Sequence, residues 1–237
     1  MLDYGFYLKD CMEGMKEYPD GFFDLAIVDP IYGDVTKGGY MSNSEGMKKA
    51  ARINHYHNSI WNQKKTSSEY FKELLRVSKN QIIWGGNYFA NFLPISPCWI
   101  VWDKNNTGRF ADGEMAWTSF NSALRIFKYT WNGMIQEAGF KHEYRIHPTQ
   151  KPVALYEWLL DKYANEGDII LDTHVGSGSS LVACIRKGFR YVGFEIDEKY
   201  YKDANERLEN ERSGLNKEDM IKGQMNIYDF KEIRKGG

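Results

Sequence analysis

Five consecutive residues, Asp29-Pro30-Ile31-Tyr32-Gly33, set a carboxylate, a backbone carbonyl and an aromatic ring directly behind the apolar run Asp24–Val28. If that run is a strand, the group lies at the carboxyl edge of a sheet, where α/β proteins build their sites. These groups suit one kind of chemistry. The lone pair of an aromatic amine is delocalised into its ring and attacks poorly. The Asp29 carboxylate and the Pro30 carbonyl, each accepting one amino hydrogen, would localise that pair on nitrogen for in-line attack on an electrophilic methyl. Tyr32 would clamp the planar ring. Taken alone, the tetrapeptide is better read as a strand-ending Asp-Pro turn followed by an ordinary tyrosine.

A second constellation raises the value of the first. The stretch ILDTHVGSGSS, residues 170–180, lies between an apolar run and a helical pattern. Gly176 and Gly178 permit a sharp turn and a close approach of backbone to ligand. Many α/β proteins carry such a turn for packing alone. The next apolar run, YVGFE, ends in Glu195, 17 positions beyond Gly178. A carboxylate there is placed to accept both ribose hydroxyls of an adenosine; the alternative is a helix-end charge ahead of Asp197. The turn has no diphosphate fingerprint and no Walker lysine follows it, so a nucleoside without phosphates fits better than NAD or ATP.

The elements that must hold these residues alternate between short apolar runs and helical patterns, as in a doubly wound sheet. Strands are expected at 24–28, 81–84, 99–102, 122–129, 168–171 and 191–194. Helices are expected from Ser67-Ser68, with Tyr70, Phe71, Leu74, Leu75 and Val77 on one face, from Pro152 to about 164, over 179–187, and from an Asp197 cap to about 211. Residues 130–146 read as turns or a short helix. From Gly33 to Thr66 the chain reads as a long polar loop with six basic and two acidic residues, a local charge of +4 in a chain of net charge −1. Lys48, Lys49 and Arg52 there are the candidate phosphate contacts; a solvated loop is an equal reading.

The totals exclude several classes. At net charge −1 the chain is no global coater of nucleic acid, so any such surface is local. Cys11, Cys98 and Cys184 form no CxxC pair, which argues against a zinc site or disulfide framework and predicts a reducing, cytoplasmic setting. No leader or membrane span is visible, so no membrane partner is expected. Aromatic residues make up 15% of the chain, which by itself favours a core rich in large side chains over rings that stack on a base or cofactor.

With these residues in view, the chain resembles the amino-methylating DNA methyltransferases of the permuted β group. DPIYG resembles their DPPY signature, HPTQKP (147–152) the segment ahead of the cofactor half, and DTHVGSGS their DPFxGSGS loop. RVSKNQIIWGGNYFANFLP followed by WIVWDK is similar to phage-type adenine methyltransferases, and the likeness runs from about Tyr7 to Leu208. The resemblance implies a Rossmann-like S-adenosylmethionine-dependent methyltransferase fold with a mostly parallel seven-stranded sheet. It implies a single domain over 1–237 with target-recognition insertions at about 33–66 and 103–145. Asp29, Pro30 and Tyr32 would hold the target amine and base. Asp10, Thr149, Lys151, Asp172, His174, Gly176, Ser177, Gly178 and Glu195 would surround S-adenosylmethionine, with no metal. The implied reaction is methylation of adenine N6 in double-stranded DNA, Asp rather than Ser heading the tetrapeptide. Cytosine N4 methylation, methylation of RNA or protein, and a non-catalytic DNA-binding module are the alternatives, and a homodimer is left open. Ile31 in place of the second proline, and Thr173-His174 in place of Pro-Phe, depart from the pattern and put turnover rate in question.

Overall fold

Strand β2 (Phe23–Val28) is buried almost throughout, as a central strand covered on both faces must be. In the computed structural model, which describes residues 1–32, 66–105, 111–132, 135–137 and 143–214, it lies mid-way in an eight-stranded sheet. In chain order the elements are β1 (Gly5–Leu8), α1 (Cys11–Met15), β2, α2 (Ser68–Val77), β3 (Ser78–Trp84), β4 (Trp99–Asp103), β5 (Gly113–Thr118) and β6 (Arg125–Lys128). A two-stranded hairpin of β7 (Trp131–Asn132) and β8 (Ile135–Gln136) follows. The chain then forms α3 (Val153–Tyr163), β9 (Ile169–Asp172), α4 (Ser179–Lys187), β10 (Arg190–Glu195) and α5 (Glu198–Arg212). The sheet order is β1-β10-β9-β2-β3-β5-β4-β6. The first five strands are parallel, β5 is antiparallel to both β3 and β4, and β6 pairs in parallel with β4.

Alternate residues of each strand feed two cores, because side chains on a pleated strand point to opposite faces. Leu25, Ile27, Ile82 and Trp84 pack with Leu155 and Leu159 of α3 and Leu181 of α4. Ala26, Val28 and Ile83 pack with Met15 of α1 and Phe71, Leu74 and Val77 of α2. Helix α2 carries Glu69 in its first turn and Arg76 in its last, each matching the helix dipole. Gly188, in the left-handed region, ends α4, and the Asp197 carboxylate caps α5 through Lys199 N and Tyr200 N.

Several elements differ from the expectations. Strand β1 and helix α1 were not anticipated; β1 is half-exposed and only four residues long, so it has no continuous apolar run to announce it. Strand β5, also unanticipated, opens on Gly113-Glu114 inside a polar stretch. Strands β5 and β6 put residues 113–118 and 125–128 of the 103–145 stretch in the main sheet, and the sheet has eight strands where seven were expected. Within 130–146, where turns or a short helix were expected, Trp131–Asn132 and Ile135–Gln136 pair as two short antiparallel strands. The Gly33–Thr66 loop, apart from Thr66, lies outside the described residues, and with it Lys48, Lys49 and Arg52.

From β2 the chain crosses α2 to β3 on one side, while from β9 it crosses α4 to β10 on the other. Because β2 and β9 are paired in parallel, at Leu25–Ile170 and Ala26–Leu171, their carboxyl ends flank the point where the winding reverses. In open α/β sheets this is the point at which a ligand crevice forms.

Candidate active site

Asp29 leaves the end of β2 at this switch point. Its Oδ2 accepts a hydrogen bond from the Lys151 ammonium, which is nearly inaccessible with 3% of its side chain exposed. Lys151 also lies 3.1 Å from Glu114 Oε2 on β5, and the other oxygen of Glu114 takes Lys104. The Lys151 ammonium additionally sits over the Trp84 ring at 5.3 Å. Burial lowers the proton affinity of Lys151, but the two carboxylates beside it outweigh this and hold it well above the ordinary lysine value. Burial likewise opposes ionisation of Glu114, yet Lys151 and Lys104 bring it down to about 2. Asp29 itself is pushed up by burial against the pull of Lys151.

The other oxygen of Asp29, Oδ1, is buried and has no hydrogen-bond partner among the described residues. Leaving a buried acceptor unmatched costs about 1–3 kcal/mol. A protein that bears this cost at the mouth of a crevice has an acceptor ready for a donor that arrives from outside. Beside it, the Tyr32 ring stacks on Tyr88 at 4.8 Å with an interplanar angle of 16°, and meets Phe89 edge-on. Gly85, at φ +66°, makes room for this ring: a Cβ there would lie 2.7 Å from Tyr32 Cδ1. That explains the glycine at position 85, directly after β3. The carbonyl of Ile31, the residue that departs from the family pattern, accepts from both Thr66 N and Thr66 Oγ1, at 2.9 and 2.8 Å.

Across the crevice, β9 ends in Asp172, whose carboxylate accepts from His174 N and from the Ser180 hydroxyl and organises the turn. Burial pushes Asp172 up to about 7. Thr173 Oγ1 lies 2.5 Å from the Tyr70 hydroxyl and 2.9 Å from His174 Nδ1. A hydrogen-bonded chain from α2 therefore occupies the place of the expected Pro-Phe pair, and burial lowers His174 to about 4, leaving it neutral near pH 7. Gly176 and Gly178 adopt φ of +54° and +77°, conformations that side chains resist. Gly176 N donates to Glu195 Oε2 at 2.8 Å, while Ile196 N and Asp197 N donate to Oε1. Glu195 thus braces the turn as well as facing its opening, and only its remaining lone pairs are free for a ribose.

The segment 147–151 closes the same edge. The His147 ring lies 3.7 Å from the Cβ position of Gly176 and packs edge-on against Tyr200, with Thr149 Oγ1 3.1 Å from His147 Nδ1. Asp10 is at this edge too, since β1 pairs Leu8 with Glu195; its carboxylate caps α1 through Met12 N and Glu13 N. Arg207 of α5, which sequence reasoning passed over, donates to Ser177 O, Ser179 Oγ and Glu143 Oε2. Glu114, Tyr70 and Tyr88 were also missed. Of these only Tyr88, two residues past Gly86, had a signal close at hand. Among the described residues no cluster of His, Cys, Asp and Glu is placed to hold a metal ion, and no helix is long and apolar enough to cross a membrane.

The residues brought together at this edge fit an adenosine-type sulfonium cofactor: a turn of left-handed glycines, a strand-end carboxylate, and no free cation in the loop that would seek phosphate. Residues 94–206 match the family model described as DNA methylase, for N6 and N4 methyltransferases. This stretch is similar to the N6/N4 DNA methylases. The methylase match takes in Glu114, Lys151, the Asp172–Gly178 turn and Glu195, while Asp29–Tyr32 precedes it. Among curated relatives, the chain is 45% identical over 69 residues to the type II methyltransferase M.HpaI of Haemophilus parainfluenzae, covering 29% of this chain and 22% of that protein. It is 40% identical over 67 residues to the DNA adenine methyltransferase YhdJ of Escherichia coli K12, covering 28% and 23%. The chain thus matches less than a quarter of the length of either. Solved structures share the fold: the M1.HpyAVI–SAM complex superposes with TM-score 0.53 at 23% identity, over 86% of this chain and 98% of that one. The PvuII cytosine-N4-specific DNA methyltransferase superposes with TM-score 0.54 at 12% identity, over 90% and 93%. The methylase fold is therefore the Rossmann-like one of S-adenosylmethionine-dependent methyltransferases.

Proposed function

We propose that this chain transfers a methyl group from S-adenosylmethionine to the exocyclic N6 of an adenine in double-stranded DNA. The observation that carries this reading is the buried, partnerless Oδ1 of Asp29, beside Tyr32 and at the end of the strand that pairs with β9. Bound S-adenosylmethionine supplies a methyl group activated by a sulfonium centre. Glu195 and the Asp172–Gly178 turn would hold its nucleoside, with Asp10, Thr149 and His174 at the same edge.

A base inside a duplex is out of reach, so the target must flip into the crevice at an unstacking cost of a few kcal/mol. Tyr32 stacks on it. Asp29 Oδ1 accepts one amino hydrogen and the Pro30 carbonyl the other, which localises the nitrogen lone pair for attack. Once alkylated, the nitrogen is cationic and strongly acidic, and its surplus proton passes to Asp29 Oδ1 and on to solvent. Burial, which raises the proton affinity of Asp29, helps this last step. Lys48, Lys49 and Arg52 are the proposed phosphate contacts, on the strength of the local charge of the 33–66 stretch. A cytoplasmic, restriction–modification setting suits the type II methyltransferase relative.

The asparagine-free, serine-free tetrapeptide and the adenine-methylating relative favour adenine. Cytosine N4 is the second reading, favoured by the likeness to the PvuII enzyme. Asp29→Ala tests the reading: methyl transfer is expected to disappear while calorimetry still shows cofactor binding. Turnover within about tenfold of wild type, roughly 1.4 kcal/mol of barrier, would contradict it.

A further inference from the structure

Asp29 has two carboxylate oxygens, and they have different fates. Oδ2 is held by Lys151, and Oδ1 is left empty. An ammonium can shift between two oxygens of one carboxylate or bridge both, so something must keep Lys151 to one side. Among the described residues the other carboxylate paired with that ammonium is Glu114, whose Oε2 lies at 3.1 Å, on a strand antiparallel to β3. Glu114 is fixed in turn by Lys104 at the end of β4. The four charges alternate in sign in the order Asp29, Lys151, Glu114, Lys104 and link β2, the segment before α3, β5 and the end of β4.

We propose that Glu114 is a positioning residue for methyl transfer, holding the Lys151 ammonium on Oδ2 of Asp29 so that Oδ1 stays free for the target amine. This rests on the reading of Asp29 as the amine acceptor. Without the Glu114 charge, the Lys151 ammonium is drawn wholly onto Asp29 and competes for the oxygen the substrate needs. The carboxylate then becomes a poorer acceptor of amino hydrogens and a poorer acceptor of the departing proton. Besides Lys151, Glu114 and Lys104, the titratable groups around Asp29 are Tyr32 on its own segment, Tyr70 of α2, Asp172 of β9 and Tyr156 of α3. Burial raises Tyr70 and Tyr156, and Asp29 followed by burial raises Tyr32, so all three tyrosines stay neutral across the working range. Asp172 is shared by every variant below and cannot distinguish them.

Two variants shift the charge on Asp29 in opposite directions. Glu114 raises the proton affinity of Asp29 and Lys104 lowers it. With saturating DNA and S-adenosylmethionine, Glu114→Gln should cut kcat by roughly ten- to a hundredfold, the scale of a small misplacement in the site, and move the acid limb of its pH profile to lower pH. Lys104→Met should move that limb to higher pH. Cofactor affinity should stay near wild type in both, and Glu114→Asp, which keeps the charge, should restore most of the limb. A buried ion cluster that merely stabilises the fold would lower the melting temperature and leave the limb in place. Unchanged kcat and limb in Glu114→Gln overturns the proposal, as does a shift of the same sign in both variants. Should Glu114→Gln fail to fold, Lys104→Met alone decides through the direction of its shift. Asp29→Ala separates the two levels: if it remains active, the acceptor reading fails and this inference with it, whereas an inactive Asp29→Ala beside an indifferent Glu114→Gln removes only the role of Glu114.

Discussion

Replacing Arg207 with leucine should both destabilise the protein and loosen the cofactor turn. Arg207 and Glu143 expose only 20% and 14% of their side chains, and their guanidinium and carboxylate meet at 2.8 Å. The same guanidinium satisfies Ser177 O and Ser179 Oγ, and the same carboxylate accepts Val153 N at the start of α3. Burial lowers the proton affinity of Arg207 and raises that of Glu143, in each case beyond what the partner restores. The pair therefore recovers only part of its desolvation. Removing one partner strands a buried charge, which costs about 3–5 kcal/mol. At roughly 2–4 °C per kcal/mol for a chain of this size, Arg207→Leu should melt about 6–20 °C lower. Removing both partners relieves the charge, so Arg207→Leu/Glu143→Leu should recover all but the lost hydrogen bonds, about 1–2 kcal/mol. The pH dependence follows from the raised folded-state value of Glu143. A carboxyl group that holds its proton more tightly when folded favours folding as the pH falls through that value. The deficit of the single variant should thus be largest near neutrality and shrink toward pH 5. Urea denaturation at both pH values, with calorimetry of S-adenosylmethionine binding, measures it. A double variant as unstable as the single one, or a melting temperature within about 2 °C of wild type, would refute the reasoning.

Glu195→Ala should weaken S-adenosylmethionine binding by about 1.5–3 kcal/mol and leave DNA affinity nearly unchanged; unaltered cofactor titration would reduce Glu195 to a brace for Gly176 N, Ile196 N and Asp197 N. Neutralising Lys48, Lys49 and Arg52 together should lower the slope of log affinity against log salt by about two to three units and weaken all DNA sequences alike. An unchanged slope would move the phosphate-binding face elsewhere.

Where the sequence was legible, local chemistry punctuated it. Gly178 and Gly188 bracket α4, so its bounds could be read directly, and the Asp197 cap announced α5. The glycine turn and the DPIY segment stood out because each combines unusual residues over a few positions at the end of an apolar run. Strand β5 did not, since Gly113-Glu114 opens it on polar residues and the only buried part is Ala116–Thr118. The pairings that shape the site were illegible for a different reason. Lys151 meets Asp29 across 122 positions and Arg207 meets Glu143 across 64, and charges so far apart leave no period or spacing to read. Lys151 was placed near the cofactor by resemblance, but its Asp29 and Glu114 partners became visible only when the sheet brought β2 and β5 to one edge. The Thr173-His174 departure puts turnover rate in question in the sequence and is a compensated exchange in the fold, because Tyr70 supplies the hydroxyl that Thr173 meets.

Asp29 is proposed to present an acceptor to the amino group of adenine. Incubating the purified protein with methyl-labelled S-adenosylmethionine and unmethylated duplex DNA, then digesting the DNA to nucleosides for mass spectrometry, tests it most directly. Label is expected in N6-methyldeoxyadenosine with the wild-type chain and in no nucleoside with Asp29→Ala. Label in N4-methyldeoxycytidine, or equal labelling by the Asp29→Ala variant, would contradict it.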